Sequence, residues 1–152
     1  MRVSDQAKII AQRIVEHVGS VDGLIGFFFE AAETERKLPA AYRSRVRAAW
    51  PDVLPDPMLA YGWHDIEVGL PPATNGEVTR YDWAISVTGM MVDEDMRIVW
   101  AAAHSQVFRD RGPRWTKLGK LMHLNRETVK RRFERAILTL WFRLVDVTAE
   151  KD

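Results

Sequence analysis

The side chains best placed to do chemistry in this chain are cations. Residues 109–143 hold eleven of them: Arg109, Arg111, Arg114, Lys117, Lys120, Arg126, Lys130, Arg131, Arg132, Arg135 and Arg143. Only three acids interrupt them, Asp110, Glu127 and Glu134, so this span carries a net +8. Residues 1–108 carry −5 and residues 144–152 carry −2, so the chain total of +1 conceals a local excess. Such a segment suits a polyanion, because each cation that neutralises a phosphate releases a condensed counterion. Composition alone leaves a solvated basic helix equally open.

The elements that must position these cations can be read from periodicity. Trp115 to Leu140 divides into two helices hinged at His123-Leu124-Asn125. Trp115, Leu118, Met122 and Leu124 form the predicted buried face of the first helix and its turn. Gly119 falls where the two helices cross, and a side chain there would push them apart. Asn125 is a good N-cap, since its side-chain oxygen can accept from the amide of Glu127 or Thr128. In the second helix Val129, Phe133, Ala136, Ile137 and Leu140 recur at three and four, as a core face does. Arg126, Glu127, Lys130 and Arg131 fall on the other side, near its N-terminal end.

Gly119, the turn, Asn125-Arg126-Glu127-Thr128-Val129 and the closing Arg135-Ala136-Ile137-x-x-Leu140 resemble the helix-turn-helix of region four in bacterial sigma factors. The preceding helix, Asp93 to His104, suits that layout, in which a helix packs across the pair. The resemblance covers about 50 residues, a third of the chain. More loosely, the Trp100 helix, Arg114-Trp115-Thr116-Lys117 and the closing helix look like an uncharacterised group of small phage- and prophage-borne bacterial proteins. The sigma resemblance implies double-stranded DNA as partner, with Arg126, Glu127, Lys130 and Arg131 reading bases in the major groove. Arg and Lys suit guanine O6 and N7, and Glu can accept from cytosine N4. It further implies phosphate contacts from Arg114, Thr116, Lys117 and Arg135. Two positions depart from the pattern: His123 stands where the turn usually holds glycine, and Arg132 where an apolar residue is usual.

Upstream, Ser4 can cap a helix running to about Val18 and ended by Gly19. Asp22 can start a second, to about Arg36, through Phe27-Phe28-Phe29. Three consecutive phenylalanines cannot share one helical face, so at least one must meet another element or another copy of the protein. A third short helix is predicted over Ala40 to Trp50, stopping before Pro51. Residues 51–76 hold five prolines and three glycines and read as a connection. Helical pattern resumes at about Glu77 with Val78, Tyr81, Ile85, Val87 and Met91. Asp93 is then the expected cap of a helix facing Met96, Val99, Trp100 and Ala103 inward.

Other function classes find little support. Cysteine is absent, which excludes disulfides, thiolate metal sites and a cysteine nucleophile. No apolar run reaches membrane-spanning length, and the N-terminus lacks a signal-peptide pattern, so a cytoplasmic location is expected. His17, His64, His104 and His123 lack paired-ligand spacing, so no metal is expected. Asp93-Glu94-Asp95 suits a helix N-terminus by complementing its dipole. Gly23-x-x-Gly26 is too short for a phosphate loop, and Ser44, Ser86 and Ser105 lack a nucleophile elbow. Trp63-His64-Asp65 reads as an aromatic anchor.

The expectation is therefore an all-α protein without catalysis or cofactor. Residues 1–50 form an acidic helical interaction part, 51–76 a connection and 77–145 a sigma region four-like DNA-binding domain. Its expected function is sequence-specific transcription regulation, with the Phe-rich N-terminal helices serving self-association or contact with RNA polymerase or another protein. Two alternatives stay open at this point: a DNA-packaging protein of the small-terminase type, and an adaptor that docks an acidic protein and binds no DNA.

Overall fold

A computed structural model describes residues 4–39, 71–106 and 111–150. These form α1 Asp5–Val18, α2 Val21–Lys37, α3 Asn75–Thr88, α4 Asp93–Ser105, α5 Trp115–Met122 and α6 Arg126–Ala149. The fold is all-α, as the periodicities predict. No helix among the described residues is long and apolar enough to cross a membrane. The predicted helix at 40–50, the Trp63-His64-Asp65 cluster and the connection as far as residue 70 lie outside the described residues.

Local signals set most helix ends. The Ser4 hydroxyl accepts from the amide of Ala7, and Gly19 closes α1 at φ 68°. The start of α2 differs from expectation: Ser20, not Asp22, provides the cap by accepting from Gly23 N–H at 3.1 Å. Gly23 has a packing reason, because a Cβ there would lie 2.0 Å from the Val18 carbonyl oxygen. α3 begins at Asn75 rather than Glu77. Thr74 and Glu77 form a reciprocal capping box, which draws Asn75 and Gly76 out of the connection and into the helix. Asp93 is the first residue of α4 and not its cap; Val92 occupies that position without a side-chain bond.

The core is built around α4. From Ile98 to Ser105 eight consecutive residues are buried, so this helix has no solvated face in its second half. Ala101, Ala102 and Ala103 keep it slim where neighbours approach. α2 and α6 both pack on it. The three phenylalanines of α2 divide among partners. Phe28 meets Phe27 and Trp100 edge-on, at centroid distances of 5.6 and 5.4 Å, while Phe29 stacks on Phe133 of α6 at 6.2 Å. Full burial of Phe28 and Trp100 contributes about 2–3 kcal/mol each.

The N-terminal helices therefore share a single core with the rest. Ala11, Ile14, Leu24, Phe27 and Phe28 lie in one buried cluster with Tyr81, Trp100, Leu118, Phe133 and Leu140. The phenylalanines expected to serve self-association are spent on this core, with Phe27 and Phe28 buried and Phe29 half-buried.

Polar contacts tie the same helices together. Lys37 Nζ donates to Glu77 Oε2 at 2.7 Å, joining the end of α2 to the start of α3. Arg80 pairs with Glu30. Inside the protein, His104 Nε2 and Glu35 Oε2 are 2.8 Å apart, with both side chains at most 1% exposed. A buried ionisable pair is held by its mutual hydrogen bond, since neither group has water to fall back on.

Candidate nucleic-acid interface

The cations of the C-terminal part are positioned by a short chain of specific contacts. Ser105, at the buried end of α4, donates to the Ala102 carbonyl and accepts the Arg114 amide at 3.0 Å. That bond fixes where α5 starts. Trp115, its first residue, packs edge-on against Phe133 of α6 at 5.3 Å. Leu118 is fully buried beneath.

The turn to α6 is tight. Leu124 N–H reaches the Gly119 carbonyl at 2.9 Å, the six-to-one bond of a Schellman end. His123 sits at φ 55°, ψ 39°, and is the one non-glycine residue with positive φ among those described. Gly119 lies under the turn, where an added Cβ would meet the Leu124 carbonyl oxygen at 2.7 Å. Asn125 then caps α6 by accepting from Glu127 N–H at 2.8 Å. The roles read from sequence for Gly119 and Asn125 are the observed ones. The core face is also as predicted: Val129, Phe133, Ala136, Ile137 and Leu140 are buried.

This arrangement leaves a groove of about 530 Å³ at the start of α5. Arg111, Arg114, Thr116, Lys117, Lys120 and Arg126 line it, with Gly112, Pro113 and Trp115. Among the described residues no acid lines it, and the first turn of α5 holds none. The Arg114 side chain makes no capping bond, so the positive end of the helix dipole at the groove is not offset by a side-chain acceptor. Five cations around one concavity favour an anion seated there.

Three of the expected phosphate contacts, Arg114, Thr116 and Lys117, thus gather in one groove, joined by Arg126 from the base-reading set. Arg135 does not join them. It lies nine residues beyond Arg126, about 13 Å along the helix, and is exposed. Glu127, Lys130 and Arg131 are exposed on the first turns of α6, with Glu127 Oε1 4.0 Å from Arg126 Nε. Arg132 is exposed too, so its departure from an apolar pattern costs the core nothing. Arg143 serves the fold: its guanidinium donates to the Met90 carbonyl, pinning α6 to the turn before α4.

Sequence reasoning missed Lys120 and Arg111 as groove residues. Lys120 was legible, since it follows Lys117 by three and shares its helix face. Arg111 depends on the turn at Gly112, φ 67°, which brings it back toward α5. A second concavity of about 340 Å³ is lined by Gly26, Phe29, Glu30, Glu33 and Gln106, and both carboxylates are paired, Glu30 with Arg80 and Glu33 with Lys37. Among the described residues no group of three His, Cys, Asp or Glu side chains comes together to hold a metal ion.

The family model described as a domain of unknown function (DUF6362) matches residues 36–140, more than half of the chain. The chain belongs to the DUF6362 family. That match takes in α3, α4, α5 and most of α6, and with them every residue of the basic groove. α1 and all but the last turn of α2 precede it, although they share the core. No curated protein matches, and no solved structure does.

Proposed function

We propose that the protein binds double-stranded DNA as a sequence-specific transcription regulator. In this reading the first two turns of α6 enter the major groove, and Arg126, Glu127, Lys130 and Arg131 meet base edges. The groove at the start of α5 seats a backbone phosphate through Arg114, Thr116 and Lys117, with Arg111 and Lys120 adding charge. The observation that carries the reading is this groove, lined by five cations. It joins cations from α5 and from the start of α6 across a tight turn. The likeness of residues 93–140 to sigma region four supports the same assignment, and the local +8 supplies the electrostatic attraction.

The test is an electrophoretic mobility shift against a random duplex library at low and at moderate salt, followed by selection and sequencing. Binding that weakens steeply with salt and enriches one motif is expected. Absence of any shifted duplex at low salt overturns the proposal and leaves docking to an acidic protein as the use of the basic face.

A further inference from the structure

The second half of α6 carries a face that the core does not use. Leu138 and Phe142, one turn apart, are 43% and 57% exposed, while Ile137, Leu140 and Leu144 point inward and are buried. Arg131, Arg135, Leu138, Phe142, Val145 and Ala149 recur at four, three, four, three and four, the spacing of a helix-pairing seam. Five of the six are exposed and Val145 is half-buried. Charge along this face is unevenly spread: Arg131, Arg132 and Arg135 precede the apolar pair with one acid, Glu134, among them, and Asp146 and Glu150 follow it.

We infer that this face pairs with the same face of a second copy of the chain, antiparallel and about a two-fold axis. Charge complementarity selects both occupant and direction. With the copies antiparallel, Leu138 of each meets Phe142 of the other, and the same register sets Asp146 of one beside Arg132 and Arg135 of the other. A parallel copy would set arginine against arginine and acid against acid. Arg132 thereby gains a role at the flank of the seam. The apolar centre is only two side chains per copy, so the dimer is a weak one, with a dissociation constant on the order of 10–100 µM. One consequence rests on the DNA reading above. The first two turns of the paired helices lie on the order of 30–40 Å apart, close to the 34–36 Å of one DNA turn. Two inverted half-sites one turn apart would then be bound together.

Sedimentation velocity of the full chain without DNA, over roughly 1–500 µM, tests the pairing separately from any DNA binding. A shift from 17.5 kDa toward twice that mass is expected across the series. Phe142→Glu should weaken association at least tenfold while circular dichroism stays unchanged, because the side chain is outside the core. Asp146→Lys should associate poorly, and so should the double variant Arg132→Glu/Arg135→Glu. An equimolar mixture of those two should recover wild-type association, since opposite charges then meet at both ends of a heterodimer. A wild type that stays monomeric throughout, a Phe142→Glu variant that associates like the wild type, or a mixture no tighter than its components overturns the inference.

Discussion

Gly119 and Leu124 are bound so closely that the glycine hydrogen is the largest group the contact admits. The Leu124 amide donates to the Gly119 carbonyl, and the Leu124 carbonyl oxygen stands 2.7 Å from where a Gly119 Cβ would be. The obstacle is backbone, which cannot swing aside as a side chain would. Gly119→Ala is expected to destabilise the protein by about 1–3 kcal/mol despite alanine's better helix propensity. Urea unfolding checks the stability. On the DNA reading proposed above, a parallel loss of binding would follow from a splayed α5–α6 angle.

His123 makes the opposite prediction. It holds the left-handed conformation with a Cβ that disfavours it. His123→Gly is expected to raise stability by about 0.5–1 kcal/mol, the conformational relief exceeding the entropy glycine adds to the unfolded chain. An unchanged or lower urea midpoint would contradict this.

The Glu35–His104 pair should behave as a buried unit. Glu35→Ala leaves a fully buried imidazole without its carboxylate, and a loss of about 3 kcal/mol or more is expected. Replacing both residues by leucine should cost less, because the imidazole is then no longer left buried without its partner. A double-mutant cycle by chemical denaturation measures the difference.

Glu77 links stability to pH. The hydrogen bond from Lys37 holds its carboxyl below the usual glutamate value, helped by Thr74. A depressed folded-state value means that the unfolded chain binds the proton more readily. The contribution is therefore present above the ordinary value of about 4.3 and lost as pH falls through the depressed one. Glu77→Gln should be less stable than wild type at pH 7, and the gap should close on acidification below about pH 4. Thermal unfolding across pH 3–7 shows whether it does.

On the DNA reading proposed above, affinity should separate the two classes of cation. Lys117→Ala is expected to weaken all duplexes alike and to lower the salt slope by about 1. Arg131→Ala should cost about 1–3 kcal/mol on the preferred sequence and relax its selectivity. Titrations at several salt concentrations, on a selected and an unrelated duplex, distinguish these outcomes.

Much of the C-terminal part was legible because its rules are local. A glycine at a helix crossing, an asparagine at a helix start and apolar residues at three and four act over a few residues. The capping box at Thr74 and Glu77 was equally local but was hidden by the adjacent glycine and the proline-rich stretch before it. Reading Gly76 as a breaker displaced the start of α3 by two residues.

The destination of Phe27, Phe28 and Phe29 was not legible in the same way. Periodicity required partners for them but could not say whether those partners lay in the same chain. Trp100 and Phe133 are 72 and 104 residues beyond Phe28 and Phe29, and no sequence rule pairs side chains at such distances. Their burial turned an expected interaction part into one wall of a common core. The large apolar side chains that stay exposed among the described residues are Ile9, Val92, Leu121, Leu138 and Phe142.

By itself, then, the sequence determined the all-α character, the α5–turn–α6 geometry, the inward face of α6 and the segregation of charge. Each follows from steric and hydrogen-bonding preferences that act within a turn or two of helix. Tertiary structure alone decided that α1 and α2 belong to the same core and that Arg111 and Lys120 join the groove. It also decided that Arg143 is spent on the Met90 carbonyl and Arg135 left outside. Those outcomes depend on where separate helices meet, and that is fixed by packing the whole apolar surface at once.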